Sequence, residues 1–220
     1  MGVTRRGAHG RRRARERTVV EVTRRLFDER GMQDAPIEEI ARAAGINRAL
    51  IYRSFESKEE LFILTVTLYL DELTAGPDLG DADDPAAQLR AALEHYTAFC
   101  LRYPAFLDCA LSLMRRPASQ LRERVSESVW LRLGQAMAGA LHPLAEILRA
   151  GAERGRFAVD DPDFVANRLY THVLGTMHLA RIGLGVRLAA PGVPAAFRLE
   201  PEDVRAACVE DALATVRILR

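Results

Sequence analysis

Between Asn47 and Lys58 the chain collects, in twelve positions, the side chains best suited to touch a polyanion: Asn47, Arg48, Tyr52, Arg53 and Lys58. Arginine and lysine neutralise phosphate, while a tyrosine hydroxyl or an asparagine amide can reach phosphate oxygens and base edges. Ala49 and Leu50 lie among them and offer the apolar contact that a thymine methyl accepts. No catalytic constellation competes with this set. His172 and His178 are six apart, off the i, i+4 spacing that puts two metal ligands on one helix face, and no HExxH, P-loop, GxSxG or GxGxxG pattern occurs. The expectation is a protein without enzymatic activity, metal or cofactor.

The surrounding residues build the support for that set. From Ile37, apolar side chains recur at Ile40, Ala41 and Ala44, one face of a helix, and Gly45 follows where a helix end wants a left-handed residue. Asn47 then offers a side-chain oxygen to the free amides of a new helix. That helix buries Ile51 and Phe55 one turn apart and turns Arg48, Ala49, Tyr52 and Arg53 the other way. Ser57-Lys58-Glu59-Glu60 spells a capping box, so a further helix starts with Lys58 in its first turn. Upstream, Val19, Val22, Leu26 and Phe27 mark the buried stripe of a first helix that Gly31 ends.

This combination (Ile40-Ala41, Gly45, Tyr52, Phe55 and Ser57-Lys58) resembles the N-terminal domain of the TetR family of regulators, from roughly Val19 to Phe62. The resemblance implies a helix-turn-helix regulator that binds a palindromic operator as a homodimer and carries a small-molecule pocket in its middle helices. Two positions depart from the family pattern. Pro36 stands where a capping threonine is usual; proline suits the first helical position but removes the side-chain cap. Leu50 stands where a small hydroxyl residue is common, so no relative's operator transfers to this chain.

The net charge of +1 conceals an asymmetry. Residues 1–58 hold fourteen Lys and Arg against eight Asp and Glu, whereas the remainder holds seventeen against twenty-two. The basic part is the helix-turn-helix part, as phosphate neutralisation requires. Residues 1–17, with Arg5, Arg6, Arg11, Arg12, Arg13, Arg15 and Arg17, read as a flexible basic arm that can track a groove or add nonspecific affinity. Neither an 18-residue apolar run nor a signal peptide is present, and Cys100, Cys109 and Cys208 lack metal or redox spacing, so a cytoplasmic protein with buried free thiols is expected.

Beyond Phe62 the pattern stays helical, in apolar stretches near Leu61–Leu73, Ala87–Tyr103, Ala105–Met114, Leu121–Gly151, Phe164–Leu184 and Val204–Leu219, and none is read as strand. The expected fold is all-α with about nine helices: the arm, a helix-turn-helix domain over 18–60, and a helical ligand-binding and dimerisation domain over 61–220. Breaks fall at 76–85, 115–117, 155–162 and 186–201, and Pro143 should kink or divide the long seventh helix. The middle helices carry His95, Tyr96, Phe99, Tyr103, Phe106, Met114 and Trp130, more aromatic and soft side chains than a spacer needs. His95 and Tyr96, each with a polar tip, are the leading ligand contacts. Leu169, Val173, Thr176 and Ala180, then Cys208, Ala212 and Thr215, recur at three- and four-residue spacings on the last two helices and read as a dimer seam. The function expected is a ligand-responsive transcription regulator, most simply a repressor released by a largely apolar small molecule. A helical ligand-binding or adaptor protein without DNA binding is the alternative, and an enzyme the remotest one.

Overall fold

The computed structural model describes residues 3–31, 35–76, 83–115 and 117–216, with side chains from residue 10 onward except Arg11. In chain order the elements are α1 (Val3–Arg30), α2 (Ile37–Ala43), α3 (Arg48–Ser54), α4 (Lys58–Thr74), α5 (Pro85–Arg102), α6 (Pro104–Met114), α7 (Ala118–Arg122), α8 (Glu127–Glu153) and α9 (Pro162–Ile182), then strands β1 (Leu184–Ala190) and β2 (Val193–Arg198), and α10 (Pro201–Val216). They group into two compact units, Met1–Asp71 with Asp108–Met137 and Glu72–Leu107 with Ala138–Arg220. The chain passes between the units inside α4, α6 and α8.

In the first unit the apolar periodicity does what it predicts. Val19, Val22, Leu26 and Phe27 of α1 are buried with Ile37, Ile40 and Ala41 of α2 and with Ile51 and Phe55. Gly31 and Gly45 end α1 and α2 at φ of 86° and 66°, a left-handed conformation that costs a residue with a Cβ. Pro36 caps α2 without a side-chain bond. The start of α4 is secured from two directions: Ser57 Oγ accepts from the Glu60 N–H at 3.1 Å and donates to the Arg124 carbonyl at 2.8 Å. The buried Glu60 carboxylate accepts from the amides of Glu56 at 2.7 Å and Ser126 at 2.8 Å. These bonds explain why Asp108–Met137 belongs with the helix-turn-helix helices, and why the first unit is larger than residues 18–60. Tyr69 of α4 closes the unit, donating to Asp28 Oδ1 at 2.6 Å beneath the Arg24 guanidinium.

In the second unit α5, α9 and α10 pack together around Leu89, Leu93, Leu169, Val173, Leu174, Cys208 and Ala212. Asp84 and Asp161 cap α5 and α9, each followed by proline at the first helical position. All three cysteines are buried and free; burial pushes each thiol up, Cys208 to about 11, so they serve as small core residues.

Several details differ from the expectation. Helix α1 already runs from Val3, so the backbone of the predicted arm is helical from that residue. Helix α8 is unbroken across Pro143. The division of the expected seventh helix falls earlier, where the short α7 and a turn precede Glu127. A β-hairpin over residues 184–198 overlaps the break at 186–201, with Leu184 opposite Arg198 and Ala190 opposite Val193 around a Pro191-Gly192 turn, Gly192 at φ 75°. Leu184, Val186 and Leu188 alternate there with Gly185, Arg187 and Ala189, a strand period within a stretch whose prolines and glycines read as a loop. Leu219, residues 77–82, Arg116 and the side chains of Arg5, Arg6 and Arg11 lie outside the described residues.

Candidate functional site

Helix α3 has two chemically distinct faces. Asn47 precedes it in extended conformation, its Oδ1 accepting from the Leu50 N–H at 3.0 Å, which starts the helix in the register the sequence predicts. In that register Ile51 is 2% exposed and Tyr52, the next residue, 51%. Asn47, Arg48, Ala49 and Arg53 share the exposed side, and Leu50 is half-buried between the two. Arg48 is held from both ends: it pairs with Glu38 of α2 at 2.5 Å and donates to the Tyr52 hydroxyl at 3.3 Å, its guanidinium 5.4 Å from the ring centre. The Tyr52 bond and then Glu38 raise the guanidinium above its ordinary range, so the group stays cationic. Arg53 and Lys58 are exposed and form no ion pair with another described residue, leaving two cations available to an outside anion.

A second candidate lies wholly within the second unit. A cavity of about 210 Å³ is walled by the end of α4 (Leu73, Thr74), by α5 (His95, Tyr96), by α8 (Gly139, Pro143) and by Tyr170 of α9. The rings of Tyr96 and Tyr170 stack at 5.5 Å and 9°. Burial, and then the neighbouring phenol, holds Tyr96 well above the usual range, and its hydroxyl forms no hydrogen bond of normal geometry. His95 Nε2 lies 3.0 Å from the Leu73 carbonyl, which ties α5 to the end of α4.

Of the seven predicted ligand contacts, His95 and Tyr96 line this cavity. Phe99, Tyr103 and Phe106 do not: Phe99 stands 5.2 Å from Phe106 and 4.8 Å from Tyr103, an aromatic cluster spent on the core, and Tyr103 donates to Glu72 at 2.5 Å. Met114 and Trp130 belong to the first unit, Met114 being 47% exposed. Gly139, Pro143 and Tyr170 are among the wall residues outside the predicted set. The proline inside a helical run is the one that could have been read as a marker. In the first unit a larger cleft of about 370 Å³ runs between Phe27, Ile37, Ile40, Leu61 and Phe62, with Lys58 at its edge.

The predicted dimer seam requires correction. Leu169, Val173, Ala180, Cys208 and Ala212 are buried within the single chain, so they have no surface left for a second copy; Thr176 is half-buried and only Thr215 is exposed. The periodicity was that of the intrachain contact between α9 and α10. The outer face of α9 lies part of a turn away, where Phe164, Leu179 and Ile182 are 60%, 46% and 51% exposed, and a groove of about 520 Å³ runs past Phe164, Thr171, Gly175 and Thr215. Leu184, Val186 and Leu188 of the hairpin continue the exposed apolar series.

Comparison with known proteins agrees with the geometry of α2 and α3. Residues 19–64 match the family model described as bacterial regulatory proteins, tetR family. The chain is 25% identical over 194 residues to the HTH-type transcriptional repressor KstR2 of Mycobacterium tuberculosis, covering 84% of this chain and 86% of that one. It is 32% identical over 100 residues to the HTH-type transcriptional activator FasR of Mycolicibacterium smegmatis, covering 44% of this chain and 46% of the activator's own length. Its fold is shared with AibR, solved in complex with isovaleryl coenzyme A and operator DNA, at a TM-score of 0.59 and 19% identity over 90% of this chain and 97% of that one. The capped two-faced helix and the left-handed glycine turn both lie within residues 19–64, the part of the chain that matches the tetR family model.

Proposed function

We propose that this chain is a ligand-responsive, DNA-binding transcriptional regulator, a repressor that a small, largely apolar molecule releases from a palindromic operator. The observation that carries the reading is the seven-residue helix α3, which buries Ile51 and turns Arg48, Tyr52 and Arg53 to the outside. Such a helix enters a major groove with its cations at phosphates and its short side chains at base edges. Arg53 and Lys58 supply the sequence-independent affinity, Arg48 and Tyr52 a braced pair for positioning, and Asn47, Ala49 and Leu50 the contacts nearest the bases. The sign of regulation follows the longer of the two matches, that to the repressor KstR2.

Two further parts belong to this reading. One recognition helix contacts too few base pairs to find a site in a genome, so a homodimer is required. The outer face of α9 supports it, since Phe164, Leu179 and Ile182 are exposed apolar side chains and the groove beside Gly175 can admit the same face of a second copy. The effector occupies the cavity at His95, Tyr96 and Tyr170. Helix α4 connects it to DNA in the most direct way available, beginning with Lys58 and ending with Leu73 and Thr74 in the cavity wall. A ligand that shifts α4 changes the spacing of two recognition helices that must match grooves roughly 34–36 Å apart.

No helix of the described residues is long and apolar enough to cross a membrane, which accords with a regulator that meets DNA in the cytoplasm. The regulatory reading assigns the chain no catalysis. Selection of bound fragments from random and genomic DNA tests it: the expected result is enrichment of a two-fold symmetric motif, with affinity falling steeply as salt rises. Weak binding without a motif would favour a helical ligand-binding protein whose helix-turn-helix no longer reads DNA.

A further inference from the structure

Pro143 stands inside α8 without interrupting it. A proline has no N–H, and its ring crowds the preceding turn, so the carbonyl four residues earlier loses its helical donor. That carbonyl belongs to Gly139. Both residues line the 210 Å³ cavity, both are exposed, and Gly139 has no side chain to cover its own backbone. A Cβ built on Gly139 would meet nothing nearer than the Thr74 methyl at 3.9 Å, so the wall is open at this point. Elsewhere the lining is mostly aliphatic and aromatic: Leu73, Leu93, Leu144 and Ile147 around the stacked rings of Tyr96 and Tyr170.

We infer that Pro143 and Gly139 form a hydrogen-bond-accepting subsite, and that the effector is a small, flat, single-ring molecule that donates an O–H or N–H to the Gly139 carbonyl. The inference rests on the cavity being the effector site. It narrows "largely apolar" in two respects. Size is the first, because about 210 Å³ lies below the ~300–1,000 Å³ of sites for drug-sized ligands. Polarity is the second. A free carbonyl at an apolar wall favours a ligand carrying a donor over one of the same shape carrying only an acceptor or a methyl group, since the acceptor leaves two oxygens facing each other with no proton between them.

The Pro143→Ala substitution restores an N–H at the position that completes the Gly139 bond, and alanine is favoured in a helix, so the variant should fold with a melting temperature at or above that of the parent. Toluene, anisole and phenol are the probes: nearly the same ring, carrying respectively a methyl, an acceptor without a donor, and a donor. Their dissociation constants are measured by NMR titration for both proteins. The phenol-to-toluene affinity ratio should fall about three- to tenfold in Pro143→Ala, the worth of one ordinary hydrogen bond, while the anisole-to-toluene ratio stays constant. Taking ratios cancels any general change of cavity shape. A phenol ratio that the substitution leaves unchanged would overturn the acceptor subsite while leaving the cavity as the effector site. Anisole changing in step with phenol would overturn it equally, because the effect would then not depend on a donated proton. Absence of saturable binding of both toluene and phenol to the parent would overturn the cavity reading itself, and the subsite with it.

Discussion

Helices α3 and α9 each bury one face in their own unit and leave the other exposed, yet the exposed faces call for different partners. That of α3 presents Arg48, Tyr52 and Arg53, groups that keep their hydration until an anion replaces it. That of α9 presents Phe164, Leu179 and Ile182 beside a glycine, groups that gain by leaving water and can do so only against another apolar surface. Exposure alone therefore assigns neither role; the chemistry of the exposed atoms does. The buried faces teach the complementary lesson. Both show clean helical periodicity, but periodicity reports what a helix hides and is silent on whether its own chain or a second copy hides it.

The sharpest way to break this comparison is to place a carboxylate on each face of α9. Val173→Asp puts a charge at a position with no exposure, and should destabilise the chain by more than about 4 kcal/mol, enough to unfold it in a denaturant titration. Leu179→Asp, at a site 46% exposed in the single chain, should leave monomer stability within roughly 0.5 kcal/mol while weakening self-association about thirtyfold or more. Sedimentation of the folded Leu179→Asp protein as an unaltered dimer would remove the outer face of α9 from the interface.

The exposed face of α3 should respond more gently and in a salt-dependent way. Lys58→Ala should weaken operator binding roughly five- to tenfold at 0.1 M salt and reduce the slope of log K against log salt by about one. Tyr52→Ala should weaken binding without that change of slope, because its hydroxyl carries no charge. Identical slopes for Lys58→Ala and the parent would mean that Lys58 does not sit at a phosphate.

The smallest expected effect concerns the join between α4 and the turn before α8. Ser57→Ala removes both the cap of Glu60 and the bond to the Arg124 carbonyl, and should cost about 1 kcal/mol of stability, read as a shift of a few degrees in melting temperature. Unaltered melting would show that water replaces the hydroxyl at both ends.

Legibility followed contact range. Asn47 capping its own helix, Gly45 turning left-handed and Ile51 paired with Phe55 are events within a few residues, and the linear pattern dictates them. The cavity is assembled from α4, α5, α8 and α9, over nearly a hundred residues of sequence, so residue type could nominate aromatic side chains but not sort them. Phe99, Tyr103 and Phe106 went to the core, while the unremarkable Gly139 reached the wall. The hairpin is hidden in the sequence for a related reason: Leu184, Val186 and Leu188 alternate as a strand does, but Pro191, Gly192 and Pro194 give the same stretch the composition of a loop.

The amino-acid sequence by itself determined the helical character, the helix-turn-helix, the register of its recognition helix and the concentration of positive charge there, because local hydrogen bonding and 3.6-residue periodicity act between neighbours. Tertiary structure alone decided which stripe of α9 faces its own chain, which aromatic rings surround an open space, and that Pro143 and Gly139 stand in the wall of that space rather than in the core. Those outcomes depend on which distant segments compete for the same apolar surface, and that competition is resolved only when the helices pack.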